Sequence, residues 1–150
     1  MRRIFLLLTG LALFGMAAAV VPNAHAAAKA ATSKKYRVLF QWSEVDSIGQ
    51  FIMTKHTNNL LDDLGQDNVE MEVLTYGPAV MAVTQGRPQS MYAKDLDALS
   101  KRGVHIVACE NAMKFFGVKK EELLPVMGTV HSAMGEIVRK HSQGWQVLRP

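Results

Sequence analysis

From Tyr36 to the carboxyl end, short runs of β-branched, aromatic and aliphatic residues alternate with longer stretches whose apolar positions recur every three or four residues. Tyr36–Trp42 has the length and composition of a buried strand, and a polar loop over 43–46 follows it. Over Ser47–Leu64 the residues Ile48, Phe51, Ile52, Leu60, Leu61 and Leu64 fall at helical spacing, and Gly65 is a stop, so the longest helix is expected there. Residues 69–76 alternate at first, turn continuously apolar and end at Gly77-Pro78, which predicts a second strand. One helical turn is expected over 79–83 and a loop at Gly86-Arg87-Pro88. Ser90 is expected to cap a helix that carries Met91, Leu96 and Leu99 and closes at Gly103. A third strand over 104–108 delivers Cys109 at its carboxyl end. A helix then starts near Asn111, is interrupted at Gly117 and makes a last turn before Pro125. Met127–Val130 reads as a fourth strand, 132–141 as a helix and 145–149 as a fifth strand.

Strands that alternate with helices across short connections imply parallel pairing, because each crossover lays a helix on the sheet. The expectation is a three-layer α/β/α fold with a mostly parallel four- to five-stranded sheet and flavodoxin-like topology. No internal repeat is present.

The amino terminus is different in kind. Arg2 and Arg3 form a positive head, residues 4–21 an apolar stretch, and Ala24-His25-Ala26 a small-x-small cleavage signal. Three segments are therefore expected: a signal peptide over 1–26 cleaved after Ala26, a small-residue tether over 27–35, and a single α/β domain over 36–150. A membrane anchor is the rival reading, since the stretch approaches the roughly 18 apolar residues of a spanning helix. Thr9, Gly10 and Gly15 dilute it, Pro22 breaks it and no basic stop-transfer cluster follows at once. Arg2-Arg3-Ile4-Phe5-Leu6 also looks like the core of a twin-arginine signal, so the export route stays open. No cysteine lies near the cleavage point for a lipid anchor. The working protein would be periplasmic or secreted, with no membrane attachment after cleavage.

Removing 26 residues from 150 leaves 124, enough for one core and no second. Of 17 basic residues two lie in the leader, leaving 15 against 13 acidic ones, or +2. With no arginine cluster and no interleaved aromatics, a nucleic-acid partner is not expected.

Cys109 is the one cysteine, so an exported chain cannot close an internal disulfide and its stability rests on its core. The thiol is then buried and inert, paired with another chain, or chemically used. Its location favours use: open parallel sheets bind ligands beyond the carboxyl ends of their strands, where strand order reverses. It also precedes a helix whose amino terminus favours a thiolate. Trp42, Ser43, Tyr76, Glu110 and Asn111 end or follow strands near the same rim and are candidate crevice residues, as are Glu44 and Asp46 in the first loop. His131 follows the fourth strand as Cys109 follows the third, so the two are expected to share the crevice if those strands are neighbours. A thiol beside an imidazole loses its proton more easily. His56 falls on the apolar stripe of the long helix and reads as a core or boundary histidine. His105 reads as facing a helix-sheet interface, and His141 as a cation near a helix carboxyl terminus. No histidine pair has helical zinc spacing, and no Gly-rich phosphate loop, nucleophile-elbow serine or paired-carboxylate motif occurs. Neither a metal nor a cofactor is expected.

The run from Gly103 through Cys109 to Lys114, followed by Gly117-Val118 and Glu121-Glu122-Leu123-Leu124-Pro125, resembles the cysteine-bearing strand and helix of the DsrE/DsrF-like family. Asn59-Leu60-Leu61-Asp62-Asp63-Leu64-Gly65, the ending Tyr76-Gly77-Pro78, and Glu136-Ile137-Val138-Arg139 through Gly144-Trp145 share that resemblance in the expected order. The resemblance implies a three-layer fold, homotrimers or homohexamers, and a cysteine, matched here by Cys109, that carries sulfur as a persulfide between donor and acceptor proteins. Those sulfur carriers are cytoplasmic and some act toward tRNA modification, whereas this chain reads as exported. The expected function is thus a sulfur carrier or relay, more a carrier than a turnover enzyme. The alternative is an oligomeric binding or scaffold module with a small-ligand crevice and a structural Cys109, and a periplasmic metal-binding protein stands third. Amino-terminal sequencing of the protein recovered from the cell envelope is expected to begin at Ala27, and retention of Met1 in a membrane fraction would show an anchor instead.

Overall fold

The computed structural model describes residues 36–150; the expected signal peptide and tether lie outside the described residues. Five strands form one sheet: β1 Tyr36–Trp42, β2 Val69–Thr75, β3 Val104–Cys109, β4 Met127–Val130 and β5 Gln146–Leu148. All pair in parallel, in the order β4-β3-β2-β1-β5. Four helices connect them: α1 Ser47–Leu64, α2 Ala93–Lys101, α3 Glu110–Phe115 and α4 Ala133–Ser142.

The first three crossovers step the same way across the sheet, so right-handed connection puts α1, α2 and α3 on one face. The fourth steps back past three strands to β5, which puts α4 on the other. Two core clusters record this division. Val38, Phe40, Trp42, Met71, Val73, Ile106 and Ala108 pack with residues of α1, α2 and α3. Leu39, Leu74 and Cys109 pack with Ala133 of α4 and with Trp145. The three-layer parallel class is as expected. Its strand order is 4-3-2-1-5, where flavodoxin runs 2-1-3-4-5.

Within the elements, two expectations change. The Ser90 hydroxyl bonds the Thr84 carbonyl and caps no helix; α2 begins at Ala93 and leaves Met91 exposed. On α1, whose Asp46 cap accepts the Ile48 and Gly49 amides, the buried residues are Gln50, Met53, Thr54, Thr57 and Leu61. Ile48 is 69% and Phe51 49% exposed, and His56 is exposed as well. Most inward polar atoms are bonded locally: Thr54 Oγ1 donates to the Phe51 carbonyl at 2.9 Å and Gln50 Nε2 to the Val45 carbonyl at 2.7 Å, while Gln50 Oε1 is buried without a hydrogen-bond partner. That local bonding lets polar side chains line a core. After α1, Gly65 turns the chain at φ 79°, a conformation that disfavours a Cβ.

Leu99 is fully buried in the larger cluster. Leu99→Ala is expected to lower unfolding free energy by about 2–5 kcal/mol in urea titration, whereas His56→Ala on the exposed side of α1 should stay within about 0.5 kcal/mol.

Candidate functional site

Because the crossover from β3 leads to one face and the crossover from β4 to the other, the carboxyl ends of these neighbouring strands form the point where connections diverge. Cys109 pairs with Val130 at that end, and it is 5% exposed. Alternation along β3 sets its direction: Ile106 and Ala108 enter the larger cluster, so Cys109 turns to the α4 face. There its Sγ accepts the backbone N–H of Ala133, the first residue of α4, at 3.2 Å. Ser132 caps that helix by accepting the Gly135 N–H, which fixes the first turn against the sulfur. The positive end of α4 therefore faces the thiol in addition to the short helix α3 that Cys109 begins. Tyr76, Val107, Ala112 and Val130 pack around this cluster.

A polar group of side chains sits at the rim. Glu110 Oε1 accepts the Thr129 hydroxyl at 3.1 Å, and its Oε2 lies 3.7 Å from His131 Nδ1. His131 is exposed and meets Glu110; among the described residues no hydrogen bond joins it to the Cys109 thiol. Glu110, a crevice candidate in the sequence, thus has a second role as the partner of His131. Tyr76 stands over the α4 face with its hydroxyl donating to Gln41 Oε1 at 3.1 Å, and Asn111 is exposed on α3. Trp42 lies fully buried in the cluster on the opposite face and belongs to the core there. Ser43 pairs with Glu44, its hydroxyl donating to Oε1 at 2.8 Å, and Arg149 reaches both. Partial burial pushes the Glu44 carboxyl up, but hydrogen bonds from the Ser43 side chain and backbone and from Arg149 carry it below its usual range. Asp46 is likewise held low, by the Gly49 N–H and then that of Ile48, and serves as the α1 cap.

His105 is exposed on the α4 face, uncovered by the helix, and His141 lies in the last turn of α4. Among the described residues, no group of three or more His, Cys, Asp or Glu is placed to hold a metal ion, and no helix is long and apolar enough to cross a membrane. An open groove of about 290 Å³ between α2 and the segment before β4, lined by Ala93, Lys94, Asp97, Leu124, Pro125 and Val126, lies on the other side of the sheet from the thiol.

The profile of the DsrE/DsrF-like family matches residues 23–150. Among solved structures the chain is similar to MTH1491, a protein of unknown function from Methanobacterium thermoautotrophicum. The identity is 31%, the TM-score 0.71, and the match covers 77% of this chain and 99% of that one. The ychN protein from E. coli shares the fold at 16% identity and a TM-score of 0.64, over 77% of this chain and 99% of its own. So does BT1422, a conserved protein of unknown function from Bacteroides thetaiotaomicron, at 14% identity and a TM-score of 0.63, over 80% and 99%. No curated protein is significantly similar.

Proposed function

Because the chain belongs to the DsrE/DsrF-like family, we propose that it is a sulfur carrier that holds a sulfane sulfur as a persulfide on Cys109 and passes it to a partner protein. One contact carries the reading, the Ala133 N–H on Cys109 Sγ. The thiolate is the nucleophile in sulfur exchange, and a peptide N–H at a helix amino terminus favours negative charge on the sulfur it meets.

In loading, the Cys109 thiolate attacks the outer sulfur of a donor persulfide. A new S–S bond forms as the donor's breaks, and the donor's inner sulfur leaves as a thiolate. In unloading, an acceptor thiolate attacks the outer sulfur on Cys109 and releases the Cys109 thiolate. Neither step consumes an oxidant or a reductant. We assign to His131, oriented by Glu110, the proton for the departing thiolate.

The proposal extends to export, on the pattern of residues 1–26, and to assembly as a homotrimer or homohexamer. Large apolar side chains support assembly: Ile48, Phe51, Phe115, Met134 and Val138 are all exposed. One observation favours the alternative of a scaffold with a structural cysteine, namely the burial of Cys109 in an apolar cluster, since free cysteines are often buried and inert.

Mass analysis of the native protein after incubation with a low-molecular-weight persulfide separates the two. The expected result is one added sulfur atom on the Cys109 peptide, removable by a thiol and absent in Cys109→Ser. A wild-type protein that stays unmodified would favour the scaffold.

A further inference from the structure

Among the described residues α4 is the sole helix on its face of the sheet, and a buried charge lies beneath it. Glu72, midway along β2, is one of the few buried carboxylates. Its Oε2 receives Lys140 Nζ at 2.7 Å, while its Oε1 is buried without a hydrogen-bond partner. The charged and titratable groups that face it are Lys140 and Glu136 from α4 and His105, its register partner on β3; from β1 it meets the uncharged Leu39. Lys140 is shared. Its Nζ lies 3.8 Å from Glu136 Oε1 and 3.9 Å from the centre of the Trp145 ring, and Arg139 takes Glu136 Oε2 at 2.6 Å. An ionised carboxylate with one bare oxygen in such a place is costly, and lifting the helix would return it to water. The first turn of that same helix carries the amide that covers Cys109.

We propose that α4 is a lid over Cys109 whose opening is driven by the ionised carboxylate of Glu72, so that access to the thiol rises as this group loses its proton. The consequence for sulfur transfer rests on the carrier reading above, whereas the lid itself rests on Glu72, Lys140 and α4. Burial pushes the Glu72 carboxyl above its usual range despite the hydrogen bond and charge of Lys140. The closed form therefore binds the proton more tightly than the open form. Below the ordinary carboxylate range both forms are protonated and the lid stays shut. As pH rises from that range through the raised value, opening becomes progressively easier.

Amide hydrogen exchange along α4 of the full chain, corrected for intrinsic rates, tests this from about pH 4 to pH 8. In the wild type, protection at Ala133 and the residues of the next turn is expected to fall with rising pH, by at most about tenfold per unit, within the Glu72 window. Glu72→Gln should give a flat profile at the protected level. Lys140→Met, which removes the counter-charge alone, should lower protection. A merely structural ion pair would loosen α4 with either substitution, so the opposite signs are diagnostic. Should Glu72→Gln fail to fold, the wild-type profile still decides. A flat wild-type profile, or protection lost in a folded Glu72→Gln, overturns the lid. The Cys109 sulfur adduct measured on the same samples reports on the carrier reading separately, since the lid can operate without an adduct and an adduct can form without the lid.

Discussion

The step from β4 back across three strands to β5 forces α4 onto the face opposite the other helices, and the candidate site follows from that one constraint. It makes the β3 and β4 ends the point of divergence, turns the Cys109 side chain toward a helix that arrives from another crossover, and brings that helix's first amide to the sulfur. A sheet whose crossovers all stepped one way would leave Cys109 facing no helix on that side. The thiol owes its environment to topology more than to its immediate neighbours in sequence.

Two fastenings at opposite ends hold the helix in that place. Near its amino end are the Ala133 amide on sulfur and the Ser132 cap; near its carboxyl end are Lys140 on Glu72 and the Lys140 contact with Trp145. The apolar part between them is small, with Ala133 and Trp145 as the buried contributions from this side. A helix held by few apolar contacts, over a buried carboxylate whose ionisation favours its release, is drawn from the less stable end of a fold's range, which suits a cover that has to move.

Much of the frame was legible in the sequence. β1, β3 and β4 follow from β-branched and apolar runs between turn residues, and Cys109 ends its strand where the pattern puts it. The inner face of α1 was not legible, because the side-chain donors of Gln50, Thr54 and Thr57 find nearby carbonyls or sulfur and so line a core that hydropathy assigns to Ile48 and Phe51. Trp42 reads equally as rim or core until the sheet faces are known. Glu72 belongs to the alternating Glu70-Met71-Glu72, which reads as solvent-facing; its burial depends on Lys140, far along the chain. The Ala133 contact is likewise tertiary. Glu110, which follows the end of β3 as His131 follows the end of β4, was the available signal for the partner of His131.

The central claim is that Cys109 is a thiol in use, uncovered by local motion of a folded protein. The most direct measurement is the rate at which iodoacetamide alkylates native Cys109 at neutral pH, with and without low concentrations of urea. The account predicts complete labelling without denaturant, at a rate nearly independent of urea below the unfolding transition, because a local opening exposes little surface. A cysteine that stays unlabelled until the domain unfolds would contradict it.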